Sequence, residues 1–223
     1  MAHLDLEEQE QLDQLKHFWQ QYGNLITWLL TGVLAAYAGW NLYQYWQRDQ
    51  AVQAAAMYDE VERIARLNDM DKLDRALADM KDKFGATTYA VQAGLLAARV
   101  YSDAGKGDAA RGALGWVAEK SSDEGYQAIA RLRLAALQIE AKEFDAALKQ
   151  LSATFPAEFA ALVADRRGDL YLAQDKKTEA VAEYRKAYQG LDAQTDYRRL
   201  VDVKLAALGV APQADAAPAG EKK

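Results

Sequence analysis

The sequence predicts an all-α protein: one membrane-spanning helix near the N-terminus, then an α-solenoid of about four helix hairpins closed by a C-terminal helix. Three observations predict it. No Asp, Glu, Lys or Arg occurs between Lys16 and Arg48. The remainder is Ala-rich, with apolar residues at three- and four-residue steps, punctuated by Gly and short polar clusters and free of β-branched runs. Within that remainder a pattern of small, aromatic and bulky residues recurs at a near-constant spacing. The expected organisation is a polar, amphipathic lead-in over 1–22, a transmembrane helix over 23–46, a repeat domain over 48–208 and a disordered tail over 209–223, where Pro212, Pro218 and Gly220 fall.

The lead-in is acidic. Asp5, Glu7, Glu8, Glu10 and Asp13 face only Lys16. Leu12, Leu15, Trp19 and Tyr22 form a narrow apolar stripe running into the anchor. The anchor core, residues 25–43, has 19 residues; as a helix it spans roughly 28 Å, close to the hydrocarbon thickness of a bilayer. Trp19, Trp28, Trp40 and Trp46, with Tyr22, Tyr43 and Tyr45, lie in or beside it and resemble two interfacial belts. Ala36-Tyr37-Ala38 fits a cleavage pattern, but the preceding segment is acidic and the apolar run continues through Trp40, Leu42 and Tyr43, so the anchor is read as uncleaved. Gly32, Ala35, Ala36 and Gly39 place small residues one turn apart, a candidate contact face for another transmembrane helix. Lys16 on one side and Arg48 and Arg63 on the other leave the orientation open.

Composition excludes several chemistries. The net charge is −6, and beyond the lead-in 26 basic side chains stand against 28 acidic ones. No basic patch or stripe points to nucleic acid. There is no cysteine, so disulfides, thiolate metal sites and cysteine nucleophiles are ruled out. Both histidines, His3 and His17, precede the anchor, which leaves the large domain without the usual general base. No phosphate-cradling Gly-rich loop and no G-x-S-x-G occurs. Asp165 and Asp169 sit one turn apart, as helix faces routinely place such pairs. The expectation is therefore no enzyme, no cofactor and no metal.

Beyond Arg48, helices are expected over 50–68, 71–84, 87–104, 107–119, 123–141, 143–153, 157–174, 177–190 and 195–208. Four segments align: Ile64, Leu67, Ala76 and Met80; Ala98, Tyr101, Ala110 and Leu114; Ala135, Gln138, Ala147 and Leu151; Gly168, Tyr171, Ala180 and Tyr184. The alanines Ala76, Ala110, Ala147 and Ala180 are separated by 34, 37 and 33 residues. The pattern resembles the tetratricopeptide repeat, whose period is about 34 residues. Small residues let the two helices of a hairpin approach, and bulky ones fill the space toward the next hairpin. In such a solenoid the first helices line a concave, peptide-binding face. The register places Gln92, Arg99, Ser102 and Asp103 there from the second repeat, Ala136, Ile139 and Glu140 from the third, and Leu162, Asp165, Asp169 and Leu172 from the fourth. The Lys and Asn pairs of a carboxylate clamp are missing from this face, which argues against recognition of a C-terminal carboxylate.

Leu15-Lys16-x-x-Trp19, Tyr22-Gly23-Asn24 at the head of a single span, and a degenerate four-repeat helical domain together resemble the ancillary SecYEG translocon subunit family (YfgM-like) of Gram-negative bacteria. The resemblance covers nearly the whole chain. It implies an inner-membrane protein with a cytoplasmic N-terminus and a periplasmic repeat domain. It further implies partners in the SecYEG translocon, the periplasmic chaperone PpiD and newly translocated polypeptides, which the protein would help pass to periplasmic chaperones. Read without the resemblance, the residues describe a membrane-tethered helical-repeat binding module, and a scaffold or regulatory role in another envelope complex fits the same surface.

Overall fold

The computed structural model describes residues 6–210. The expected disordered tail lies outside them from residue 211 onward, as do the first five residues of the lead-in. Among the described residues there are nine α-helices, one 3₁₀ turn and no strand. The helices are α1 Leu6–Arg66, α2 Met70–Phe84, α3 Thr88–Asp103, α4 Gly107–Lys120, α5 Glu124–Glu140, α6 Phe144–Leu151, α7 Ala160–Ala173, α8 Lys177–Gly190 and α9 Asp196–Ala207, with the 3₁₀ turn at Ala157–Phe159.

The helix α1 is where structure and expectation part. Lead-in, anchor and the helix expected over 50–68 are one continuous element of 61 residues. The reason is local: residues 47–52, Gln-Arg-Asp-Gln-Ala-Val, hold neither glycine nor proline and offer no stop signal. The chain nonetheless divides into two compact units between Val52 and Gln53. In the first unit the large apolar side chains, Leu25, Trp28, Leu29, Val33, Leu34 and Leu42 among them, are exposed. That helix is long and apolar enough to cross a membrane. Three of its polar side chains bond back onto their own helix. Thr27 and Thr31 donate to the carbonyls of Gly23 and Thr27 at 2.7 and 2.8 Å, and Asn41 to that of Tyr37 at 2.9 Å. Side chains satisfied in this way suit a medium that offers no water.

The second unit is a stack of hairpins. The last turns of α1 share an apolar cluster with α2; α3 packs on α4, α5 on α6, α7 on α8, and α9 on α8. Asp69, Thr87 and Asp123 cap α2, α3 and α5, each side chain accepting from the backbone amide three residues on. Three hairpin turns are built alike. Gly105, Lys142 and Asp175 take positive φ of 71°, 60° and 60°. The next amide in each, from Lys106, Glu143 and Lys176, donates to the carbonyl of Tyr101, Gln138 and Tyr171 at 2.8, 2.8 and 2.9 Å. Each left-handed residue falls five positions before Ala110, Ala147 or Ala180, so the repeat read from side chains reappears in the backbone.

Close approach inside the hairpins depends on small residues. A Cβ added to Gly168 would lie 2.5 Å from the Tyr184 ring, and one on Gly94 would lie 2.7 Å from Val117 Cγ2. Three apolar clusters run along the stack. The first joins Val61, Leu73, Met80, Tyr101, Leu114 and Leu134, from the end of α1 through α5. The second joins Leu132, Leu151 and Val163 across α5, α6 and α7. The third joins Tyr184, Val201 and Leu205 across α8 and α9. Each hairpin thus buries its apolar face only against its neighbours, the quasi-one-dimensional logic of a solenoid. Two arginines tie successive hairpins as well. Arg131 of α5 donates to the Ala118 carbonyl at the end of α4 (3.2 Å), and Arg167 of α7 to the Leu151 carbonyl at the end of α6 (2.8 Å).

Candidate peptide-binding groove

The first helices of three successive hairpins, α3, α5 and α7, border an open groove of about 390 Å³. Its apolar floor comes from Ala98, Leu114, Ala136 and Leu137. Its charged walls are Arg99 and Asp103 of α3, Arg133 of α5 and Arg166 of α7, with Ser102 beside them. The helix period places Arg99, Ser102 and Asp103 on one face of α3, and the hairpin packing turns that face toward α5.

The structure thus brings together Arg99, Ser102, Asp103 and Ala136 of the face expected from the register. It does not gather the others with them. Gln92 is half-buried near the start of α3 and donates to the Tyr126 hydroxyl at 2.9 Å. Glu140 is exposed at the end of α5, and Leu172 at the end of α7. Asp165 and Asp169 are taken up by the fold. Asp165 is fully buried. It accepts from the Tyr197 hydroxyl at 2.7 Å, and from Lys204 Nζ at 2.8 and 2.9 Å on its two oxygens. Asp169 accepts from the Tyr184 hydroxyl (2.8 Å), Lys204 Nζ (2.7 Å) and Arg166 Nη1 (2.9 Å). Two carboxylates and two cations therefore close a network that pins α9 to α7.

The phenols report the same enclosure. Burial pushes Tyr184 well above the ordinary tyrosine value, and the Asp169 carboxylate adds to it. Burial raises Tyr197 likewise, reinforced by its hydrogen bond to Asp165. Tyr101 is raised by burial and by its hydrogen bond to Asp74 of α2. All three remain neutral donors to carboxylates at physiological pH.

Arg133 and Arg166 were not among the residues expected on this face. The signal was present: each lies two positions before the small residue of its repeat, Ala135 or Gly168, and so occupies the same place in successive hairpins. On α1 the expected contact face, Gly32, Ala35, Ala36 and Gly39, is exposed, and a Cβ on Gly32 or Gly39 would meet nothing within 4 Å. Among the described residues no group of three or more His, Cys, Asp or Glu is placed to hold a metal ion.

An apolar N-terminal helix joined to stacked hairpins of this register defines a membrane-associated protein with a tetratricopeptide-like repeat domain. Residues 16–210 match the family described as tetratricopeptide repeat-like domain. The chain is similar to three proteins that carry the name ancillary SecYEG translocon subunit. The one from Neisseria gonorrhoeae is 33% identical over 204 residues, covering 91% of this chain and 98% of that protein. The one from Haemophilus influenzae is 30% identical over 189 residues, 82% of this chain and 90% of that protein. The one from Escherichia coli is 31% identical over 177 residues, 78% and 83% respectively. No solved structure matches the chain significantly. The chain belongs to the ancillary SecYEG translocon subunit family.

Proposed function

We propose that this protein is a membrane-anchored adaptor at the Sec translocon, with residues 23–46 spanning the inner membrane, the N-terminus in the cytoplasm and the repeat domain, 48–208, in the periplasm. There it helps pass newly translocated polypeptides to periplasmic chaperones, PpiD among them. The observation that carries this reading is the likeness, over almost the whole length of both chains, to a protein named for the translocon. Two features of the molecule support it. The exposed apolar helix supplies a tether, and a tether raises local concentration so that individually weak contacts suffice. The open groove supplies a surface suited to an extended or helical segment. On this reading the domain works by binding, and Asp165 at the centre of its polar cluster is fully buried and bonded to Tyr197 and Lys204.

Site-specific photo-crosslinking in intact cells tests the proposal, with probes at Gly32 and Tyr37 in the anchor and at Arg99 and Ser102 in the groove. The expected adducts are translocon subunits from the anchor and a periplasmic chaperone or nascent chains from the groove. Adducts confined to some other envelope complex would replace the adaptor with a scaffold.

A further inference from the structure

We infer that the groove between α3, α5 and α7 takes an acidic polypeptide segment, one in which carboxylate side chains alternate with apolar ones. The inference rests on the adaptor reading and specifies the chemistry of what the domain holds. Its basis is the balance of charge in the groove. Three of its four charged walls are arginines, and Asp103 is the single carboxylate lining it. That carboxylate is weakly engaged: it stands 3.8 Å from Arg99 Nε, and the two side chains are 73% and 77% exposed. A pair so open to water neutralises little.

Arg133 is exposed and makes no hydrogen bond or ion pair among the described residues. Arg166 holds Asp169 through one terminal nitrogen, while its Nε is buried without a partner among the described residues. Of the acids on α7, Asp165 is committed to Lys204 and Tyr197, and Asp169, shared with Lys204 and Tyr184, takes up part of the Arg166 charge, so the open positive charge of the groove lies at Arg99 and Arg133. Arg133 and Arg166 occupy equivalent positions in consecutive hairpins, and Arg99 lies one turn further along its own helix. The groove therefore offers two open guanidinium groups, Arg99 and Arg133, with the partly engaged Arg166 beyond them, over an apolar floor. A guanidinium is suited to a planar carboxylate, which it meets with two parallel hydrogen bonds. Apolar side chains between the carboxylates would rest on Ala98, Leu114 and Leu137.

The probe is a fluorescent peptide of about twelve residues alternating Glu with Leu or Ala, its terminus amidated; at ~3.3 Å per residue it can cross helices packed ~10 Å apart. Its Gln analogue, and a second analogue whose only carboxylate is the C-terminal one, serve as comparisons. The full-length protein in lipid nanodiscs is expected to bind the Glu peptide and neither comparison. Raising the salt concentration weakens that binding, because the Debye length shortens. Reversing Arg99→Glu and Arg133→Glu together, both at exposed positions, weakens it roughly tenfold per arginine, with the helical circular-dichroism signal unchanged. Equal binding of the Glu and Gln peptides, or of the peptide with only a terminal carboxylate, overturns the inference, and so does a double reversal that leaves affinity intact. Translocon co-purification by the same double variant keeps the two readings apart: if it persists while the Glu peptide shows no preference, the adaptor stands and the acidic ligand falls.

Discussion

The two ends of the groove treat charge in opposite ways. At the α7 end Asp165 and Asp169 are drawn inward, saturated by Lys204, Arg166, Tyr184 and Tyr197. At the α3–α5 end Arg99 and Arg133 stand in water with little or nothing to hold. Both sets lie on first helices, and both read in the sequence as polar residues of a concave face. What separates them is the neighbour. The α7 end is met by α9, the last helix among the described residues, which brings Lys204 and Tyr197 to bear on it. The α3–α5 end is flanked by further hairpins that leave its face open. One end has become structure, and the other remains available for recognition.

The sharpest way to break that contrast is to delete charge at each end. Asp165→Ala removes the acceptor of the Tyr197 hydroxyl and leaves Lys204 with Asp169 alone, and removing one partner of a buried ionic network costs about 3 kcal/mol. Urea denaturation should show that loss, and Arg133→Gln should change stability by less than about 0.5 kcal/mol, the ordinary range for a surface position. Equal effects would mean that the two ends do not differ as described.

A smaller effect is expected at the hairpin contact beneath the network. Gly168→Ala sets a methyl group 2.5 Å from the Tyr184 ring. The ring is buried and anchored through Asp169, so it yields poorly, and overpacking of this kind costs about 1–3 kcal/mol. Gly112→Ala on α4, where a Cβ meets nothing within 4 Å, serves as the control and should be neutral or slightly stabilising.

The smallest effect is set by pH. In the folded protein Tyr101, Tyr184 and Tyr197 hold their protons more tightly than an unfolded chain does. Below the unfolded phenol value of about 10 both states are protonated and the stabilisation is fully present. Above it the unfolded chain ionises first, so stability falls as pH rises toward the folded values. Urea midpoints measured between pH 8 and pH 11 should drop at the alkaline end, and Tyr197→Phe should flatten the drop.

Much of this was legible in the residues. The alternation of helices, the four-hairpin count and the register of Ala110, Ala147 and Ala180 follow from periodicity, which reports what shares a face. The three left-handed turns were partly legible: Gly105 announces one, whereas Lys142 and Asp175 adopt the same conformation without a glycine to mark it. The continuity of α1 is not legible in composition, because the change from apolar to polar near residue 47 ends an apolar run and not a helix, and nothing over residues 47–52 stops one. Asp165 was assigned to the open face because its partners lie 32 and 39 residues downstream, on a helix outside the repeat pattern. Periodicity tells which way a side chain turns, and only the packing of α9 tells what meets it. Arg133 and Arg166 could have been found by comparing residues two positions before each repeat's small residue.

The central claim is a division of labour in which the anchor tethers the protein and the repeat domain binds. Comparing the full-length protein with a version lacking residues 1–47 tests it most directly, because the second compact unit begins at Gln53. The shortened protein is expected to be soluble and helical, to unfold cooperatively, and no longer to co-purify with membranes or the translocon. A shortened protein that still co-purifies with the translocon as the full chain does would show that the repeat domain, and not the anchor, holds the protein there.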